Sequence, residues 1–449
     1  MIDQLRNLWF TLRSSLWFVP TFMVSSAMIF SFLTILLDEL IRLVWLRDFD
    51  TVYSGGPEGA RAVLATIAGS MIGVTGVAFS ITIVTLTLAS SQFGPRLLRN
   101  FMRDLGNQIV LGTFLATFVY CLLILRTVHD VNNVQFVPNI SITCGIGFAL
   151  VSLGALIYFI HHVSVSIQAD TVIASVSLDL QNALNRLYPE KVAQEDTGAE
   201  SLAPENIDSL LRDTARHGHV IMANCSGYLQ VINGVQLMHI ATAHECLIRF
   251  ERRPGDFISQ HCPLAMVWSG VRVDDELDAA INNACIVGAQ RTTEQDARFA
   301  FLQLVEIAIR ALSPGINDPF TAVACIECIG VALCQLAKRS LPSIYRYDED
   351  EQLRVIVPTP TFVDMVHSVF DPIRQYSRSS ITVTLQLLQM IALVAPHVYR
   401  EEDREALLDQ ALMINQGCFE GLPEGADREQ VEATYQATRQ ALQSSVIPA

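Results

Sequence analysis

Between Arg61 and Arg96 the chain carries no charged residue, and nothing else in its 449 residues limits the fold so severely. The stretch reads AVLATIAGSMIGVTGVAFSITIVTLTLASSQFGP, from Ala62 to Pro95. It exceeds the roughly 20 apolar residues that cross a bilayer, so it predicts a membrane-spanning helix. On a helix turning about 100° per residue, Ala62, Gly69, Gly73, Gly76, Ser80, Thr87 and Ser91 fall within about 40° of one line. Ile67, Val74, Phe79, Ile81 and Leu88 make a greasier surface opposite. The lane of small and hydroxyl residues has two readings. Gly69-xxx-Gly73 and Gly76-xxx-Ser80 let helix backbones approach closely, which suits dry packing. The same residues suit the lining of a water-filled path, where small side chains leave room and hydroxyls solvate.

Three more apolar stretches accompany this one, giving expected spans at about 16–37, 62–91, 105–125 and 136–160. Ahead of them, Trp9 and Trp17 with Arg6 and Arg13 mark an interfacial segment rather than a cleaved signal. Residues 38–61 read as a loop with turn chemistry at Ser54-Gly55-Gly56-Pro57, and RTVHDVNNVQ as a short polar connection. Four spans place both termini on one side. With the N-terminus inside, Arg6, Arg13, Arg96, Arg99 and Arg103 stay cytoplasmic, against Arg42, Arg47, Arg61 and Arg126 outside. Ten cysteines without a framework of spacings suit the same reducing side.

The soluble remainder divides by periodicity. Residues 164–206 read as a helical stalk continuing the fourth span to about Tyr188, then an acidic linker after Pro189. In the stalk Ala169, Ile173, Val176, Leu180, Leu184 and Leu187 form a narrow seam, suited to a contact between subunits or to packing on the chain's own domain. Residues 207–290 read as a small β unit, a barrel or sandwich. Its strands are YLQVIN, LMHIATA, ECLIRFE, DFISQ and LAMVWS, with VDDELDAAINNACIVG a helix. Residues 291–449 read as mainly helical, opening with the amphipathic TEQDARFAFLQLVEIAIRAL and including a hairpin at IYRYDEDEQLRVIV. The expected class is therefore an α+β integral membrane protein: four transmembrane helices, then a soluble domain with a small β unit and a helical part.

Charge follows the same division. Through Val163 nine arginines face eight acids, whereas the remainder carries 21 basic and 37 acidic residues. An acidic region whose only lysines are Lys191 and Lys338 excludes nucleic acid as a partner. Its acidity reads as solubility.

The chemistry-bearing motifs point away from an enzyme. No dinucleotide, P-loop, zincin or nucleophile-elbow pattern is present. Cys325-x-x-Cys328 falls mid-helix, and His217, His219, His239, His244, Cys246, His261 and Cys262 lack zinc spacing. No catalytic residue, cofactor or metal is expected. The turn SPGINDP is the one ligand candidate of the soluble part, with Arg310, Ser313, Asn317 and Asp318. The helix after it offers N–H groups to an anion, and Arg310, Arg374 and Arg378 can join. Asp318 opposes an anion and equally reads as the cap of that helix, ahead of Pro319.

The stretch Tyr53–Asp104, YSGGPEGARAVLATIAGSMIGVTGVAFSITIVTLTLASSQFGPRLLRNFMRD, and RALSPGINDPFTA at Arg310–Ala322 together resemble a bacterial predicted-membrane-protein family, domain of unknown function 2254. The resemblance extends over nearly the whole chain. It implies a multi-pass protein of the inner (plasma) membrane with a sizeable soluble part, and it brings no activity and no catalytic residue.

The expected function is an oligomeric inner-membrane pore or channel with a cytoplasmic regulatory domain. Its copies meet in the lipid bilayer through the transmembrane helices and stalk, the lane lines the path, and small ions pass. Arg96, Arg99 and Arg103 share a helical face just beyond the lane. They either anchor at anionic headgroups or form a positive collar at the cytoplasmic mouth. The alternative is a non-conducting membrane sensor or scaffold with a ligand-binding cytoplasmic domain.

Overall fold

The computed structural model describes residues 17–44, 56–94, 104–131, 134–188, 218–269 and 274–444. Two compact units divide the chain, Met1–Val172 and Ile173–Ala449.

The first unit is built from α1 (Phe18–Val44), α2 (Pro57–Phe93), α3 (Leu105–Thr127) and α4 (Asn139–Ser166). All four are long and apolar enough to cross a membrane. The 37 residues of α2 extend about 55 Å, well beyond a hydrocarbon core of about 30 Å. At the centre α3 packs on the other three, burying Phe114, Tyr120, Cys121 and Ile124. Close approach is local: a Cβ at Gly112 would meet Met23 Sδ at 2.5 Å and the Pro20 backbone at 3.2 Å. The helix ends follow their sequence signals. Pro57 opens α2 after Gly56, Asp104 caps α3 through Gly106 N–H, and Gly94 ends α2 at φ 111°.

Three expectations for this unit need correction. Helix α1 does not end near Leu37 but continues through Asp38 to Val44. The connection after α3 holds a two-stranded hairpin, β1 (His129–Val131) against β2 (Val134–Phe136). The fourth span and stalk are not one helix: the chain turns at Ile167-Gln168 before α5 (Ala169–Leu187). Alternating β-branched Val163, Val165 and Ile167 weaken helix propensity at that point.

In the second unit the seam of α5 is settled by burial. Ile173, Val176, Leu180 and Leu184 are buried within the chain, so the seam packs on the chain's own domain. Arg339 donates to Leu184 O at 3.0 Å and Tyr188 O at 2.7 Å, closing the helix end. Leu180→Asp is therefore expected to lower stability by about 3 kcal/mol or more, by burying an unpaired charge, with the oligomeric state in detergent unchanged. Dissociation at an unaltered melting temperature would return the seam to a subunit contact.

The strands form two sheets rather than a barrel. The first, in the order β3 (His219–Met222), β7 (Pro263–Ser269), β5 (Cys246–Phe250), β10 (Leu353–Ile356), β9 (Tyr345–Tyr347), is antiparallel except where β10 runs parallel to β5. The second joins β6 (Phe257–Ile258), β4 (Gly227–Ile232) and β8 (Cys285–Gly288), all antiparallel. Both contribute to one core with Ile221, Leu229, Ile248, Val267, Ile281 and Val355.

Two segments differ from the sequence reading. LMHIATA is not a strand but most of α6 (Gly234–Ala243): Asn233 accepts Gln236 N–H as its cap, and Leu237 and Ala241 bury one stripe. VDDELDAAINNACIVG splits into α7 (Asp275–Asn283) and strand β8.

The remainder is helical: α8 (Ala297–Ala311), α9 (Pro319–Ala337), α10 (Phe362–Ser377), α11 (Ile381–Val394), a 3-10 turn at Ala395–His397, α12 (Glu401–Gly421) and α13 (Gly425–Ser444). By length and composition α9 is a fifth helix able to cross a membrane, against the four expected. It packs on α8 and α11 and buries Ala322, Cys325, Ile326, Ile329 and Leu333. A helix covered on two sides needs apolar residues around most of its girth, so its hydropathy matches a span's.

Candidate functional site

The lane lies on the outside of the folded chain. Gly69, Gly73, Gly76, Ser80, Thr87 and Ser91 are all exposed, and a Cβ built at any of the three glycines meets nothing within 4 Å. The face that α2 buries carries Ala60, Leu64, Ala68, Ala78, Thr82, Thr85 and Ala89, about half a turn around the helix from the lane. Packing of the lane against the chain's own third and fourth spans is thus excluded. The greasier surface fares differently from expectation too. Ile67 and Val74 are half-buried, whereas Phe79, Ile81 and Leu88 stay exposed beside the lane.

Hydrogen bonding gives the lane a polarity. Thr66 and Thr87 donate to the carbonyls of Ala62 and Ile83 at 2.7 and 2.9 Å, and Ser91 to Leu88 at 2.8 Å. Thr87 and Ser91 of the lane, and Thr66 beside it, thus direct their protons to their own helix. Arg96, Arg99 and Arg103 lie outside the described residues.

Sequence reading missed the polar groups inside the first unit. Helix α4 follows Pro138 and has no side-chain cap of its own. Asp38 of α1 supplies one: its carboxylate accepts Ile140 N–H at 2.9 Å, Ser141 N–H at 3.0 Å and the Ser141 hydroxyl at 2.6 Å. Tyr120 stands beside it, within 3.0 Å of the Thr34 hydroxyl and donating to Ser141 O at 3.1 Å. At the opposite end of α3, Asp104 accepts Gly106 N–H and lies 2.5 Å from His162 Nε2. Gly106 makes room for that pair, since a Cβ there would meet His162 Nε2 and Tyr158 Oη at 2.9 Å. The available signal for Asp38 was the uncapped α4 terminus, whose N–H groups in an apolar medium must find an acceptor.

The SPGINDP turn is structural in its bonding. Ser313 Oγ donates to Arg310 O at 2.6 Å, Asn317 takes φ 50°, and Asp318 N–H donates to Ala311 O at 2.8 Å. Asp318 is the cap of α9: it accepts Phe320 and Thr321 N–H at 3.2 Å each and the Thr321 hydroxyl at 2.6 Å. That hydroxyl leads the groups holding its carboxyl below the usual range. The arginines do not converge on the turn. Arg310 pairs with Glu306, Arg374 with Asp371 and Arg378 with Glu420. An anion at this terminus would displace a carboxylate already in place.

A buried charge cluster of the second unit joins a loop to α8. Asp296 is 1% exposed, caps α8 through Phe299 N–H at 3.1 Å, and takes two bonds from Arg291, at 2.9 Å to Nε and 2.6 Å to Nη2. Burial pushes its carboxyl upward and Arg291 opposes the shift. All ten cysteines are free, and among the described residues no three His, Cys, Asp or Glu side chains are placed to hold a metal.

Comparison with known proteins agrees with the apolar helices. A family model described as "Predicted membrane protein (DUF2254)" matches residues 13–393. Uncharacterized proteins of Mycobacterium tuberculosis and Mycobacterium bovis are each 31% identical over 440 residues, covering 96% of this chain and 81% of the relative. No solved structure matches.

Proposed function

The chain belongs to the DUF2254 family of predicted membrane proteins, and we propose that it is an oligomeric pore or channel of the bacterial inner membrane, regulated by its soluble unit. Copies of α2 turn their lanes toward a shared axis, and both termini with the acidic unit face the cytoplasm. One observation carries the reading: the lane is exposed on the folded chain, opposite the face α2 buries. In a bilayer its neighbour is either lipid or another copy. Against lipid, Gly69, Gly73 and Gly76 forfeit the dispersion contacts of a filled face. Between copies the same glycines let helices close in. The lane hydroxyls of Ser80, Thr87 and Ser91 then solvate water or small ions. Arg96, Arg99 and Arg103 anchor the cytoplasmic end or collar it. No catalytic step and no cofactor enter this scheme.

The second reading draws on the same lane. If copies meet there without a gap, the protein is a non-conducting sensor or scaffold. Ser80 separates the two. In a background without native thiols, Ser80→Cys in a pore is expected to react with a small charged thiol reagent and to change flux from liposomes, with Phe79→Cys unaffected. An unlabelled Ser80→Cys protein, with no flux from the wild type, would leave the scaffold.

A further inference from the structure

Arg339, just past the end of α9, holds the last turn of α5 by donating to Leu184 O, Tyr188 O and the Asn185 side chain. The same arginine lines a cavity of about 10 Å³, room for one water, together with Leu341, Phe362, Tyr399, Arg400 and Asp403. Asp403, in the first turn of α12, is 8% exposed, and its carboxylate has no hydrogen-bond or ion-pair partner among the described residues. An ionised carboxylate in that position is costly, whereas the neutral acid is not. Burial accordingly lifts its titration from 3.8 to about 6, with Arg400 opposing and Glu402 adding to the rise.

Among the described residues, the adjoining segments bring further charged and titratable groups. Lys338 and Arg339 come from the end of α9, and His397 and Tyr399 from the turn after α11. Arg400, Glu401, Glu402 and Arg404 belong to the start of α12 itself. From α10 the lining is apolar, through Phe362.

We propose that Asp403 and Arg339 form a proton-operated latch on the C-terminal turn of α5. With Asp403 protonated, the Arg339 guanidinium keeps its bonds to the α5 carbonyls and the Asn185 side chain. When Asp403 releases its proton to water, the carboxylate competes for that guanidinium across the cavity and the turn loosens. Along the chain α5 begins two residues after α4, so the latch acts on the segment by which the polypeptide leaves its last membrane-spanning helix. It stands whether or not the lane conducts. The folded carboxyl titrates above its unfolded value, so the stabilisation is complete below about pH 4 and is lost as the pH rises through about 6.

Amide hydrogen exchange on the full-length protein reads the latch directly, through the Tyr188 N–H that donates to Leu184 O. After correction for intrinsic rates, protection at Leu184–Tyr188 is expected to fall about fivefold from pH 5 to pH 7.5 in the wild type. Asp403→Asn should keep the pH 5 protection at both values, and Arg339→Lys the weak protection at both. Asp403→Leu, free of any amide bonding, should match Asp403→Asn. Wild-type protection that is equal at the two pH values, or an unchanged pH response in both Asp403 variants, would overturn the latch.

Discussion

Gly73→Leu is expected to abolish flux through the reconstituted protein while leaving the folded protomer at least as stable as the wild type. No atom lies within 4 Å of a Cβ at Gly73, so the protomer accommodates the side chain, and replacing a mid-helix glycine adds about 0.5–1 kcal/mol of helix propensity. In a pore, several leucines then meet at the narrowest part of the lane and close it. Gly112→Leu is expected to do the reverse. Its Cβ runs into Met23 and the Pro20 backbone, so α1 and α3 must separate, at a cost of about 1–3 kcal/mol or more. The pair of variants distinguishes a blocked path from a damaged bundle. Flux unchanged by Gly73→Leu would remove the lane from the conduction path, and loss of the oligomer with that variant would favour dry contact between copies.

Asp296→Ala is expected to lower the stability of the second unit by about 4 kcal/mol. Removing the carboxylate leaves Arg291, itself largely buried and lying over the Phe299 ring, without a counter-charge. Breaking one half of a buried pair costs about 3–5 kcal/mol, and α8 also loses its cap. Asp296→Asn separates these contributions, because asparagine still caps but cannot neutralise Arg291. Thermal unfolding should rank wild type, Asp296→Asn and Asp296→Ala in that order. Less than about 1 kcal/mol lost on alanine substitution would show that Arg291 finds another partner or solvent.

Much of the architecture was written locally. The charge-free run after Arg61 demanded a spanning helix because a bilayer offers no water to an ion or to an unpaired peptide group. Asp318-Pro319 signalled a helix start, and IYRYDEDEQLRVIV signalled a hairpin, because capping and turn chemistry act within a few residues. These elements appear where they were expected. Asn233-Gly234 shows the limit of such signals. The same pair suits a hairpin turn or a helix cap, and only the burial of Leu237 and Ala241 in the shared core selects the helix.

The site divides in the same way. The lane was legible as a periodicity, but periodicity does not say which side of α2 meets protein. Its buried face is also small and hydroxylic, with Ala68, Ala78, Thr82 and Thr85, and lipid is as apolar as a protein interior. Hydrophobicity therefore cannot rank the two sides, and the contact with α3 decides. Groups paired across long separations were likewise invisible: Asp38 on the start of α4, and β10 beside β5. Sequence by itself determined the four long apolar helices of the first unit and where a small-residue lane runs, because those follow from short-range sterics and solvation. Tertiary structure alone decided which face of each helix is covered and which distant polar group answers another, because those depend on where packing brings the chain together.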